Sequence, residues 1–376
     1  MAQKDKIELR RTTWFVVNIK ARKNQKPSHY VEVIFTNRRS NCAIGIRNSS
    51  YFRSNGRQDT FTFRNNGFTI EAERSCSYSD GSILNSSQNS LNGQILKGLL
   101  VYYALASDFP KLKNISILRK RQQRLGDFVY TETLEFQQPL TPRIVRNLHL
   151  SQADVNEILE ETDKGIAVRT ALSYWLKGVN SQDRYFKFDR YWKAFDRLLL
   201  HQGNTTRERD GIQAMKALIR GNAGLFVEST AMTNTASDGY IRKFSWNKLL
   251  YKCSKRYTKP EDICRRATEY SDSRAIRLFQ SLVYGPKVQT ALSSAGLWRN
   301  VVNHFAANTA TICDIDIVLL LSLSYTYYLR CKLFHGEVPD STFKLKPTDE
   351  DWEIEELGKL LEIVVFELLE HNHIFR

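Results

Sequence analysis

A chain of 376 residues, 42% of them hydrophobic, is long enough to bury two ordinary cores. Its apolar runs, such as residues 317–323 with a single serine among them, fall far short of the ~20 residues that cross a bilayer. The 55 Lys and Arg against 40 Asp and Glu leave a net charge of +15, distributed unevenly: 24 basic against 11 acidic in residues 1–150, 27 against 18 in 151–336, and 4 against 11 in 337–376. A strongly basic first part implies a polyanionic partner, most simply nucleic acid, since no basic amphipathic helix suited to a membrane surface is visible.

The six cysteines (Cys42, Cys76, Cys253, Cys264, Cys313, Cys331) form no C-x-x-C pair and no zinc-spaced cluster with histidine, so they read as reduced thiols of a cytosolic protein. The start Met1-Ala-Gln-Lys-Asp-Lys has no apolar core of a signal peptide. Phosphate-loop, dinucleotide, zincin and nucleophile-elbow motifs are all missing, which argues against an ATPase, a dehydrogenase or a zincin. No cofactor and no metal site is expected; His371 and His373, two apart near the chain end, are weak ligand candidates.

In chain order, residues 12–20 and 29–36 carry Trp, Phe, Val and Ile in partial alternation and predict two strands joined as a hairpin. Short strands follow over 41–47, 60–64 and 67–74, with turns at Asn55-Gly56 and Asn66-Gly67. A Ser/Asn-rich loop covers 75–92, one amphipathic helix 93–107, and strands 113–119 and 128–136. Pro139-Leu-Thr-Pro142 marks a linker. The composition predicts a basic α+β domain over 1–150, for nucleic-acid binding or sensing. Its clusters Lys20-Ala-Arg22-Lys23, Arg38-Arg39 and Arg119-Lys-Arg121-Gln-Gln-Arg124 fall at strand ends and loops, and aromatics such as Trp14, Tyr30 and Tyr51 interleave with them, a combination that suits single-stranded RNA.

From residue 151 onward the pattern is helical. Residues 155–176 predict one helix and 181–201 another, with Ser181 as its N-cap, Tyr185, Phe188, Trp192, Phe195 and Leu199 as an apolar stripe, and Arg184, Lys187, Arg190, Lys193 and Arg197 as a basic flank. A further helix spans 209–220. An insertion over 221–311 holds a Ser/Thr/Asn-rich loop (228–238) and a basic segment (241–277) whose Arg256 and Arg265 are a second set of candidate RNA contacts.

Residues 315–337 predict a core helix with a polar tip, ended by Gly336 and Pro339. At the tip stand Arg330-Cys331-Lys332-Leu333-Phe334-His335. Cleaving an RNA phosphodiester requires a group that moves protons near neutral pH, which histidine supplies, and a fixed cation for the charge developing on phosphate, which arginine's planar fork supplies. Five positions at about 100° each set Arg330 and His335 roughly 140° apart on a regular helix. Either the helix end unwinds, or two copies of the motif assemble one site. The simpler alternative is that Arg330 pairs with a carboxylate and His335 caps the helix. A closing helix then starts at Thr348, with Asp351 completing a capping box, and buries Ile354, Leu357, Leu361, Val364, Val365 and Leu368.

Arg-x4-His at the end of a Leu/Tyr-rich helix, continued as His-Gly in "RCKLFHGE", resembles the signature of the HEPN superfamily (higher eukaryotes and prokaryotes nucleotide-binding), and "YFKFDRYWKAFDRLLLHQG" resembles its first long helix. The likeness covers about residues 181–220 and 315–369. It implies an all-α, HEPN-like helical bundle over 151–376, with Arg330 and His335 as the catalytic pair of a metal-independent endoribonuclease. Cys331 stands where the superfamily often has Asn, Asp or His. The resemblance further implies a homodimer and a toxin or antiphage setting with an antitoxin or defence-system partner. Substrate contacts are expected from Lys332, Arg119, Arg121, Arg124, Arg256 and Arg265. The rival expectation is an inactive HEPN module that binds RNA or a partner protein.

Overall fold

The computed structural model describes residues 28–35, 45–51, 56–74, 82–85, 89–105, 112–119, 148–251, 259–334, 346 and 348–376. The chain divides into two compact units, Met1–Arg169 and Thr170–Arg376, the first α+β and the second helical. The strands expected over 12–20 and 128–136, the linker at 139–142, the basic clusters at 20–23, 38–39 and 120–124, and the helix stop at Gly336 and Pro339 lie outside the described residues.

In the first unit β1 (Ser28–Phe35), β2 (Gly45–Ser50), β3 (Gln58–Arg64), β4 (Gly67–Glu73) and β5 (Leu112–Arg119) form one antiparallel sheet in the order β2-β3-β4-β1-β5. The hairpin expected between 12–20 and 29–36 is replaced. Both edges of β1 are taken, with Val31 opposite Ile70 of β4 on one side and Ile117 of β5 on the other. The register follows from burial: Val31, Val33, Ile70, Ile115 and Ile117 are all core, and a one-residue slip would turn them to the opposite face. β2 runs three residues past the expected end at 47, pairing with β3 from Gly45 opposite Phe63 to Ser50 opposite Gln58; residues 41–44 of the expected strand lie outside the described residues.

The helix α1 (Ser90–Leu105) lies on this sheet. The Tyr102 ring stacks on Phe35 at a centroid distance of 4.1 Å, and a Cβ at Gly98 would come within 2.3 Å of the Phe68 ring, so the helix needs glycine there. At one end of this layer is a buried polar network. Arg74 donates to both carboxylate oxygens of Asp59, at 2.6 and 2.5 Å, and Gln94 Nε2 adds a bond to Asp59 at 2.8 Å. Lys97 Nζ donates to the carbonyls of Ser50 and Leu159 at 2.7 and 2.8 Å and pairs with Glu161 at 2.6 Å. Burial lowers the Lys97 ammonium to about 8 against the pull of Glu161. In effect the network fastens edge strand β2 to α1 and to the end of α2 (Gln152–Leu159).

The single helix expected over 155–176 is two: α2, then α3 (Asp163–Val179), with Glu160 extended between them. Local capping overrides the continuous apolar period. Ser151 and Asp154 form a capping box at the start of α2, while Thr162 Oγ1 accepts from Gly165 N at 2.9 Å to begin α3. Arg169 closes the end of α2 by donating to the Ile158 carbonyl at 2.8 Å.

In the second unit α4 (Arg184–Gln202) packs against the closing helix α10 (Asp349–Glu370), and Phe188, Trp192, Phe195 and Leu199 are buried as the stripe predicts. Its N-cap is Asp183 rather than Ser181: the carboxylate accepts from Phe186 N at 2.6 Å. Tyr185 Oη donates to Asp351 at 2.5 Å, Tyr191 Oη to Glu362 at 2.7 Å, and Trp175 Nε1 to the Glu362 carbonyl at 3.1 Å, so α3 and α4 are both tied to α10. The expected capping box of Thr348 and Asp351 is present. After α5 (Glu208–Gly221) the chain forms short helices, among them α6 (Pro260–Ala267) and α7 (Ser273–Val283).

The loop expected over 228–238 is largely helix, Val227–Asn234. One device supports a sequence poor in helix formers: Glu367 on α10 accepts from the first backbone N–H groups, Glu228 at 2.7 Å and Ser229 at 3.1 Å. The core helix expected over 315–337 is also more elaborate: α8 (Asp314–Leu319), a π turn (Leu320–Tyr325) and α9 (Thr326–Phe334) run on without a break. Among the described residues no helix is long and apolar enough to cross a membrane.

Candidate active site at Arg330

Arg330 belongs to the last turns of α9, and its surroundings come from α4 and α5. Its guanidinium grips Glu208, the first residue of α5, with Nη2 at 2.8 Å from Oε1 and Nη1 at 3.1 Å from Oε2; both side chains are 23% exposed. The guanidinium carbon lies 5.8 Å from the centroid of the Trp192 ring, within cation–π range, and that ring in turn lies 6.0 Å from Tyr327 on α9. The arginine is therefore held in one place by a two-point ion pair and an aromatic neighbour, as recognition of a planar anion requires.

A second carboxylate shares the site. Asp196 stands one helical turn beyond Trp192 on α4 and is pushed up to about 6, chiefly by burial and then by the charge of Glu208, while Arg330 and Arg197 pull the other way. Its Oδ1 is buried and has no hydrogen-bond partner among the described residues, and the same holds for Nε1 of Trp192. Burial likewise raises the thiol of Cys331 and the hydroxyl of Tyr327, so neither is ionised near neutral pH. The site thus joins a fixed cation to a carboxyl group that exchanges its proton near neutral pH, the pairing that phosphoryl chemistry uses.

That carboxyl makes stability depend on pH. A carboxyl whose folded value lies above its ordinary 3.8 binds more protons folded than unfolded between about pH 4 and 6, so the fold loses stability as pH rises through that window. Asp196→Asn should remove this loss. Between pH 4.5 and 7 the urea stability of the wild type is expected to fall relative to that of the variant by on the order of 1 kcal/mol, after discounting for solvent screening. A difference that stays constant with pH contradicts the assignment.

The remaining candidates scatter. Lys332 ion-pairs with Glu350 on α10 and does not share Arg330's partner. Arg265 on α6 pairs with Asp262 at 3.3 Å, and Asp262 also meets Arg209 at 3.6 Å. Because Arg209 follows Glu208, the start of α5 touches both the Arg330 site and the α6 patch. Arg119 closes β5, its side chain outside the described residues, as are Arg121, Arg124, Arg256 and His335. On α4 the basic flank is partly neutralised, Lys193 pairing with Asp189 at 2.9 Å and Arg184 lying 3.8 Å from Glu355. Glu208 and Asp196 were not singled out by the sequence. The one available signal was Asp196 at four residues from Trp192, one of two acids, with Asp189, on a flank rich in Arg and Lys.

Compared with models of known families, with curated proteins and with solved structures, the chain finds no match. The case for a function rests on the residues.

Proposed function

We propose that the second unit is a HEPN-type, metal-independent endoribonuclease, with Arg330 stabilising the charge that develops on the scissile phosphate and His335 moving the proton of the attacking 2′-hydroxyl. The observation that carries the reading is the setting of Arg330: immobilised by Glu208 and Trp192, partly exposed, and next to an acid that titrates at about 6. Its partner is RNA, drawn by the net charge of +15. The ~140° between Arg330 and His335 on a regular helix favours a site completed across a homodimer, and the resemblance supplies a toxin or antiphage role in the cytoplasm, held in check by a partner protein.

A second reading is favoured by that same ion pair. Because Glu208 already satisfies Arg330 at two points, the unit would be a non-cleaving HEPN-like module that binds RNA or a partner protein. Incubation of the full chain with mixed cellular RNA in excess chelator separates the two. Under the ribonuclease reading the RNA is cut; bound but intact RNA leaves the binding module.

A further inference from the structure

Arg330 lies just beyond the π turn, and what holds that turn comes from elsewhere in the fold. A π turn closes its hydrogen bonds at i→i+5, taking up one residue more than an α turn. With α8 fixed, everything in α9 is therefore set back by one residue, about 100°, relative to an uninterrupted α-helix. Only with the π turn in place does Arg330 meet Glu208 and Trp192. Without it that angular position passes to Leu329, a core residue that is 1% exposed.

Two hydroxyls secure the turn locally: Thr326 Oγ1 donates to the Leu321 carbonyl, five residues back, at 2.9 Å, and Ser322 Oγ donates to the Val318 carbonyl at 2.7 Å. Two more are held from outside the helix. Tyr325 Oη accepts from Ser245 N at 2.8 Å, and Ser324 is held by a buried cluster. Lys216 Nζ on α5 donates to Ser324 Oγ at 2.8 Å, to Tyr270 Oη at 2.9 Å and to Glu269 at 2.6 Å, and the Tyr270 and Ser324 oxygens are 2.6 Å apart.

This cluster could be mistaken for a serine nucleophile beside a lysine base. The donors decide otherwise: an ammonium has three N–H groups, and three acceptors account for all of them. Lys216 is lowered to about 8 by burial, which leaves it protonated at neutral pH and unable to take a proton from Ser324. A buried ammonium at 3% exposure is costly, whereas an apolar residue at position 324 would need no such partner. The best-attested use of a buried charge is to specify register.

We infer that Lys216 and Tyr270 are positioning residues: through Ser324 they hold the π turn, and the π turn sets Arg330 against Glu208 and Trp192. The consequence for RNA cleavage rests on the ribonuclease reading above; the placement of Arg330 does not.

The test is a double-mutant cycle, Arg330→Met with Glu208→Gln, measured by urea denaturation in the wild type, in Ser324→Ala and in Ser324→Thr. In the wild type the two changes are non-additive, because either one breaks the ion pair. The non-additivity should vanish in Ser324→Ala and persist in Ser324→Thr, which keeps the hydroxyl. A cluster that only adds stability would lower every midpoint and leave the coupling intact in Ser324→Ala, and that result overturns the inference. Should Ser324→Ala fail to fold, Tyr270→Phe removes one hydroxyl and keeps the ring, and undiminished coupling in it is equally fatal. If the chain cleaves RNA, Ser324→Ala should also lower kcat by roughly tenfold or more with little change in KM. Lost coupling in a chain that does not cut RNA would sink the ribonuclease reading alone.

Discussion

Arg74→Met is expected to destabilise the first unit by about 3–5 kcal/mol, a large share of the ~5–15 kcal/mol that holds an ordinary domain together. The substitution keeps most of the volume and removes the charge. Asp59, 1% exposed, is then left as a buried carboxylate with Gln94 as its remaining side-chain donor, where before it had two short bonds from Arg74. The tie between strand and helix loosens as well, because Arg74 Nε also donates to Ser90 Oγ at the start of α1. Thermal or urea unfolding measures the loss, and the double variant Arg74→Met with Asp59→Leu should recover much of it, since replacing both partners leaves no buried charge unpaired. A loss below about 1 kcal/mol would mean that Asp59 is not carried by this pair.

Arg330→Ala has two expected effects of different origin. RNA cleavage falls by about a hundredfold or more, the size of effect seen when a fixed charge facing the reacting group is deleted. Stability falls by about 1–3 kcal/mol, because Glu208 is left partly buried without its two-point partner. Arg330→Lys separates them: a lysine keeps the charge near Glu208 but cannot present a planar fork, so most of the stability returns while cleavage stays low. Full cleavage by either variant would remove Arg330 from the site.

Much of the framework was legible because it is periodic or locally capped. The stripe on α4 through Trp192 and Phe195, the Thr348–Asp351 box and the division into an α+β part and a helical part all follow from short-range pattern. What escaped depends on partners distant in sequence. The strand neighbours of Val31 are 39 and 86 residues away. The helix Val227–Asn234 is capped by Glu367, more than a hundred residues on, and the π turn is pinned through Ser324 by Lys216 and Tyr270. In the site the same division holds. Arg330 was visible from its spacing to His335, whereas Glu208 and Asp196 are ordinary surface acids until the fold brings them to it.

A ribonuclease site built on Arg330 and His335 is tested by comparing wild type with His335→Ala on mixed RNA in excess chelator and identifying the new ends. His335 directly follows α9, and circular dichroism and the unfolding midpoint establish that the variant keeps the wild-type fold. The wild type should leave 2′,3′-cyclic phosphate or 3′-phosphate ends, and His335→Ala should leave the RNA intact. Cleavage that persists in His335→Ala, or that appears only when a divalent ion is restored, would contradict it.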